Sequence, residues 1–180
     1  MTDMRRRFAL HAATLLVAAA LAVPGGALAA DPARSEPAAS TAVRTPLAVI
    51  VNRSNPIDAL GRRELRALFL GERTTWPHGR RVTLVLREAG QPERAAALRL
   101  IYGMSEDDLN RHFIHQPFTG SSAAGPRALA TAGGIKRFVF NVPGAIGLVR
   151  LADLDDTVKV LKINGASPGE PGYTLVMGES

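Results

Sequence analysis

Hydrophobic and polar positions in this chain switch repeatedly between a strand period and a helix period. Leu47-Ala48-Val49-Ile50-Val51 is a short continuous apolar run, which predicts a strand buried on both faces, and the turn-rich Asn52-Arg53-Ser54-Asn55-Pro56 closes it. The period then lengthens. Leu60, Leu65, Leu68 and Phe69 form an apolar stripe at helical spacing with Arg62, Arg63 and Arg66 opposite, and Gly71 stands where a helix C-cap belongs. Val82 to Leu86 predicts a second strand ending at Arg87. After Glu88-Ala89-Gly90-Gln91, Pro92 opens a helix expected over Glu93 to Tyr102, which Gly103 ends. Ser105-Glu106-Asp107-Asp108 has the order of a capping box and predicts a further helix to about His115.

Thr119 to Gly125 reads as a loop, and Arg127 to Phe140 contains a helical stretch weakened by Gly133-Gly134. Pro143-Gly144 turns the chain into a strand over Ala145 to Val149. Val158 to Ile163 predicts a last strand before the Pro/Gly-rich stretch from Asn164 to Gly172. Strands alternating with helices, with few hairpin signals, give an α/β domain with a mixed or mostly parallel sheet. It is expected to span residues 47–177.

The N-terminus obeys other rules. Arg5-Arg6-Arg7 precedes an apolar run from Phe8 to Val23, then Pro24-Gly25-Gly26 and the small-residue triplet Ala27-Leu28-Ala29, the three-part order of a cleavable export signal over residues 1–30. The run is at the short end for a bilayer core and lacks a stop-transfer flank, so no membrane anchor is expected after cleavage. Residues 31–46, rich in Ala, Pro, Ser and Thr, cannot bury enough apolar surface to offset ordering and read as a flexible leader. The expected location is therefore the periplasm.

Composition narrows the chemistry. The chain has no cysteine, so neither disulfides nor thiol chemistry nor a lipidated cysteine is available. Of its 180 residues, cleavage after Ala29 leaves 151, enough for one domain with an ordinary core. The formal charge of +6 falls to +4 once Arg5, Arg6 and Arg7 leave together with Asp3. The excess is scattered arginine, with no dense basic block, so small anions or a protein are favoured over nucleic acid as partners.

Taken in order, Asn52-Arg53-Ser54-Asn55-Pro56, Arg63-Glu64-Leu65-Arg66-Ala67-Leu68-Phe69-Leu70-Gly71 with Trp76 after it, Pro143-Gly144-Ala145-Ile146-Gly147 and Val158 to Gly165 resemble the phosphate-type substrate-binding proteins of ABC transporters. The resemblance covers nearly all of Leu47 to Leu175. It implies a single periplasmic-binding-protein-like α/β lobe, its central sheet flanked by helices, where a complete family member has two lobes closing on the anion. It also implies an arginine followed by a Ser-Gly-Thr type loop that cradles phosphate. Arg87 fits the arginine, whereas Ala89-Gly90-Gln91 replaces the loop and lacks both hydroxyls.

The expected anion site is thus Arg87, Gly90 and Gln91, with Ser54 and Asn55 facing the same crevice from the first strand. Each has a plainer role: Arg87 as a surface partner of Glu88 or Glu93, Gly90 and Gln91 as helix caps, Ser54 and Asn55 as turn formers. His112 and His115 share a helix face, yet no third ligand is spaced to join them, so solvent-facing histidines and no metal are expected. Trp76 is expected to pack behind the Phe69 helix. Ser121 and Ser122 lie in a Gly-rich loop without a nucleophile-elbow pattern, and neither a catalytic centre nor a cofactor is expected. Two functions follow: a non-catalytic receptor for a small phosphate-like anion, serving an ABC transporter permease or completed by a homodimer, or a ligand-free module docking on an envelope protein.

Overall fold

The computed structural model describes residues 44–115 and 124–178. The expected export signal, most of the leader, and Ser121 and Ser122 lie outside the described residues. Among the described residues no helix is long and apolar enough to cross a membrane.

The apolar run around Val49 becomes β1 (Thr45–Val51), which begins two residues before the expected domain boundary. It lies inside a six-stranded sheet with β3 (Thr83–Arg87), β4 (Arg127–Leu129), β5 (Ala145–Arg150), β6 (Lys159–Val160) and β8 (Val176–Met177). The order is β4-β3-β5-β1-β6, with β8 pairing the start of β1. β3 runs parallel to β4 and β5, whereas β1 is antiparallel to β5, β6 and β8, so the sheet is mixed. A separate two-stranded parallel pair joins β2 (Ala59–Leu60) to β7 (Lys162–Ile163).

Both faces of the sheet are covered, which explains the absence of strict alternation in β1. Leu47, Val49 and Val51 point into a core shared with Leu65, Leu68, Phe69, Trp76 and Tyr102, while Ala48 and Ile50 join Val85, Ile135, Val139 and Val149 on the other face. The first core is roofed by α1 (Arg62–Phe69), by α2 (Pro92–Ala97) with the π-helical turn Leu98–Tyr102, and by α3 (Glu106–His115). The second is roofed by α4 (Ala132–Asn141). Each fully buried aliphatic side chain contributes roughly 1.5–3 kcal/mol by leaving water. Trp76 packs in the Phe69 core as expected, and its indole N–H donates to Gly144 O at 3.0 Å. α4 sits so close on β5 that a Cβ on Gly147 would meet Ile135 and Val85 side-chain carbons at 2.8 Å.

The structure refines the sequence reading at three places. Arg127–Leu129, ahead of the helical stretch, is a strand that the sequence reading does not separate, because its backbone completes a ladder with Val85, Leu86 and Arg87. The helix begins at Ala132, where the Thr131 hydroxyl accepts from Gly134 N at 2.9 Å. Val158 to Ile163 is not one strand: it breaks at Leu161, with Lys159–Val160 pairing β1 and Lys162–Ile163 pairing β2. The third place is His112, which is not simply solvent-facing, since its Nε2 lies 2.8 Å from Leu70 O. The Ser105 cap forms as expected, with its hydroxyl accepting from Asp108 N at 3.1 Å.

Candidate functional site

In open α/β sheets ligands gather outside the carboxyl ends of the strands. Here β3 and β5, which are parallel neighbours, end on arginines, Arg87 and Arg150. Between them Pro92 opens α2 one residue before Glu93, so the chain reverses at the sheet edge and carries a carboxylate back over both strand ends. The turn that allows this is Glu88-Ala89-Gly90-Gln91, closed by Gln91 N donating to Glu88 O at 3.3 Å with Gly90 at φ 82.

Glu93 is the centre of the cluster. It is only 6% exposed, and the side chains of Arg87 and Arg150 are 13% and 40% exposed. Arg150 Nε lies 2.6 Å from Glu93 Oε1, and Arg87 Nε lies 3.6 Å from Glu93 Oε2. Neither contact has the alignment of a hydrogen bond, and both Nε groups and Oε2 are left without a hydrogen-bond partner. Arg87 also donates from each Nη within the lobe. Its Nη2 donates to Gln91 Oε1 at 2.9 Å, and its Nη1 donates to Ala130 O just past the end of β4. Behind the cluster, Arg94 grips Glu106 through Nε at 3.1 Å and Nη2 at 2.6 Å, tying α2 to the first turn of α3.

Of the residues expected to form the site, the structure therefore brings together Arg87, Gly90 and Gln91. Gln91 does so as an acceptor for Arg87 rather than as an amide donor facing outward. Ser54 and Asn55 do not join them. β1 is antiparallel to β5, with Val51 opposite Ile146, so Asn52–Pro56 lies beside the beginnings of β3 and β5. That is the far end of the sheet, on the order of 15 Å from Arg87 for a five-residue strand. Their hydrogen bonds are local to that end of the sheet, where Asn55 Nδ2 is buried without a hydrogen-bond partner. Asn52 Nδ2 donates to Val139 O at 2.9 Å and Phe140 O at 2.6 Å, its Oδ1 accepts from the Ser54 amide and hydroxyl, and Asn55 O accepts from Lys159 Nζ at 2.7 Å.

Sequence reasoning weighed Glu93 only as a partner for Arg87 and missed Arg150 altogether. Arg150 is a lone basic residue at the end of an apolar strand, and only the parallel register of β3 and β5 brings it beside Arg87. The usable signal was the shared pattern of two strands each closing on arginine. A cavity of about 320 Å³ lies at the opposite end of β3, lined in part by Arg73, Thr74, Arg81, Thr83 and Arg127. Arg73 pairs with Glu64 at 3.6 Å, and the Arg127 guanidinium sits 5.2 Å over the Phe138 ring. Among the described residues no group of three or more His, Asp or Glu side chains could hold a metal ion.

No family model matches the sequence. Solved structures do match the fold. An ABC-type phosphate transport receptor from Vibrio cholerae superposes with a TM-score of 0.62 at 21% identity, covering 75% of this chain and 55% of that one. A protein from Clostridium perfringens, described as a phosphate ABC transporter substrate-binding protein with bound phosphate, gives 0.61 at 20% identity over 75% and 54%. PstS from Borrelia burgdorferi gives 0.58 at 16% identity over 75% and 55%. This chain has their fold. The shared part is an α/β lobe, and the chain spans about 55% of the length of the first of these neighbours. In that fold the Arg87, Glu93 and Arg150 cluster occupies the carboxyl-end corner of the sheet.

Proposed function

We propose that this chain is an exported, non-catalytic binding protein of the periplasm whose lobe holds a small phosphate-like anion at the Arg87 and Arg150 corner, with Gly90 and Gln91 shaping the turn beside it. The observation that carries the reading is the convergence of two strand-end guanidiniums on one carboxylate group. Two positive charges against one leave an excess at a half-buried corner, where charge-assisted hydrogen bonds gain more than they do in open water. The likeness of fold to three phosphate-type binding proteins, each matching over about three quarters of this chain, supports the same reading. The export-signal pattern read over residues 1–30 agrees with it. A bound anion on one lobe faces water, so a transporter permease or a second copy of the chain would complete the enclosure.

A second reading rests on a specific observation: Arg87 already has Gln91, Ala130 O and Glu93 around it. In this reading the lobe takes no ligand and docks on an envelope protein, for which the exposed Phe140 and Ile114 are apolar contact points. Calorimetric titration of the purified protein with phosphate and with sulfate separates the two. Saturable phosphate binding that is weakened about tenfold or more in Arg87→Ala is expected for the receptor, since removing one charged partner of a buried anion costs at least that much. Binding that survives Arg87→Ala would move the anion to the arginine-lined cavity at the other end of β3. No heat up to millimolar anion would leave the docking reading.

A further inference from the structure

The corner where a ligand is proposed to sit already contains an anion. We infer that Glu93 is a built-in competitor: its carboxylate occupies the guanidinium pair and sets the affinity and selectivity of the site for external anions. The inference rests on the receptor reading for the identity of the ligand, but its geometry stands apart from it. Glu93 is buried, lies 2.6 Å from Arg150 Nε and 3.6 Å from Arg87 Nε, and its Oε2 lacks a hydrogen-bond partner. Both arginine Nε groups are unsatisfied as well. Three buried polar atoms left open around a single ion cluster mark an arrangement whose components are paired in charge and incompletely paired in hydrogen bonds.

A tetrahedral dianion offers what the carboxylate does not: more acceptor oxygens, arranged in three dimensions, and a higher charge. It could take the Nε–H of both arginines in line while Glu93 swings aside. Because Glu93 is tethered to the same lobe, it competes at a local concentration that does not fall on dilution. The apparent affinity of the external anion is reduced by the fraction of molecules in which Glu93 is withdrawn. A monoanion with fewer acceptors gains less from the exchange, so the competitor favours multiply charged oxyanions over chloride or acetate.

The test substitutes Glu93→Gln in the full chain and titrates phosphate, with acetate as the weak-anion comparison. Glu88→Gln serves as the charge control, because Glu88 is exposed and forms no ion pair with either arginine among the described residues. Glu93→Gln is expected to bind phosphate at least about tenfold more tightly than the native chain and to gain for acetate as well, narrowing the preference. Glu88→Gln should leave both nearly unchanged, and the gain should vanish in Glu93→Gln/Arg87→Gln.

Loss of Glu93 also leaves two arginines without their counter-ion, so thermal melts with and without phosphate accompany the titration. A larger phosphate-induced rise in Tm for Glu93→Gln than for the native chain supports the inference even if the variant starts lower. Native binding that depends on Arg87 but is unchanged by Glu93→Gln would overturn the competitor and keep the receptor. Binding seen only in Glu93→Gln would keep the competitor and overturn the receptor. Binding in neither would remove both.

Discussion

Asp155 is solvent-exposed, yet its carboxyl is held down from the ordinary 3.8 to about 2, chiefly because Lys136 Nζ bonds to it, with the Thr157 hydroxyl and amide adding their donors. Lys136 belongs to α4 and Asp155 to the segment after β5, so this ion pair fastens the helix to the loop beside it. The folded state favours the ionised form more than the unfolded chain does. The resulting stability is present above about pH 4 and fades as the pH falls through about 2. Asp155→Asn is therefore expected to lower Tm slightly between about pH 5 and 7, as befits an exposed pair. Melting curves of both proteins should converge as the buffer approaches about pH 2. A difference that stays constant with pH would mean that packing, not charge, holds the loop.

At the scale of elements, two glycines in helical segments have opposite roles. Gly103 closes the π-helical turn at φ 67, its amide donating to Leu98 O at 2.7 Å, and a Cβ there would meet Arg66 Nη1 at 3.2 Å. Arg66 reaches from α1 to the carbonyls of Ile101 and Tyr102 at that same end. Gly103→Ala should cost about 1–2 kcal/mol from left-handed strain alone. Gly133 lies inside α4, and a methyl group added there would have no neighbouring atom within 4 Å, so Gly133→Ala should stabilise by about 0.5–1 kcal/mol. Chemical denaturation of the two variants checks both signs. Gly133 is also where hydrophobic pattern was a sound guide, since the helix it weakens was legible in the sequence. The strands of two and three residues were legible only in part, since Val158 to Ile163 reads as one strand where two short ones stand. Arg127–Leu129 has the composition of a helix and becomes a strand because β3 offers it a free edge, and Lys159–Val160 and Lys162–Ile163 take different partners only after β1 and β2 are in place. The same limit applies to the site. Arg87 is legible from its strand-end position, whereas its relation to Glu93 and Arg150 depends on the register of a parallel pair far apart in the chain.

Across the whole molecule, the chemistry sits at the ends of the most buried strands. Every residue from Leu47 to Val51 in β1 has no exposed surface, and β1 pairs with β5 over all five positions and with β6 and β8 besides. By contrast, α3 buries one residue, Leu109, and leaves Ile114 exposed. Opening β1 would expose both cores at once, so its amides should exchange only through global unfolding, while α3 can open alone. Hydrogen exchange is therefore expected to be slowest at Ala48 to Val51 in β1 and at Ile146 to Val149 in β5, and roughly tenfold or more faster along α3. This contrast bears on the proposed anion site, because Arg150 ends β5 whereas Glu93 rides on α2, which is bound to α3 through Arg94 and Glu106. If α3 exchanges early, the element anchoring Glu93 is looser than the strand that carries Arg150, and the carboxylate can withdraw while the guanidiniums stay spaced for an incoming anion. If α3 is protected as fully as β1, Glu93 is fixed with the rest of the lobe, and exchange for an external anion would require its side chain to rotate away without help from the helix.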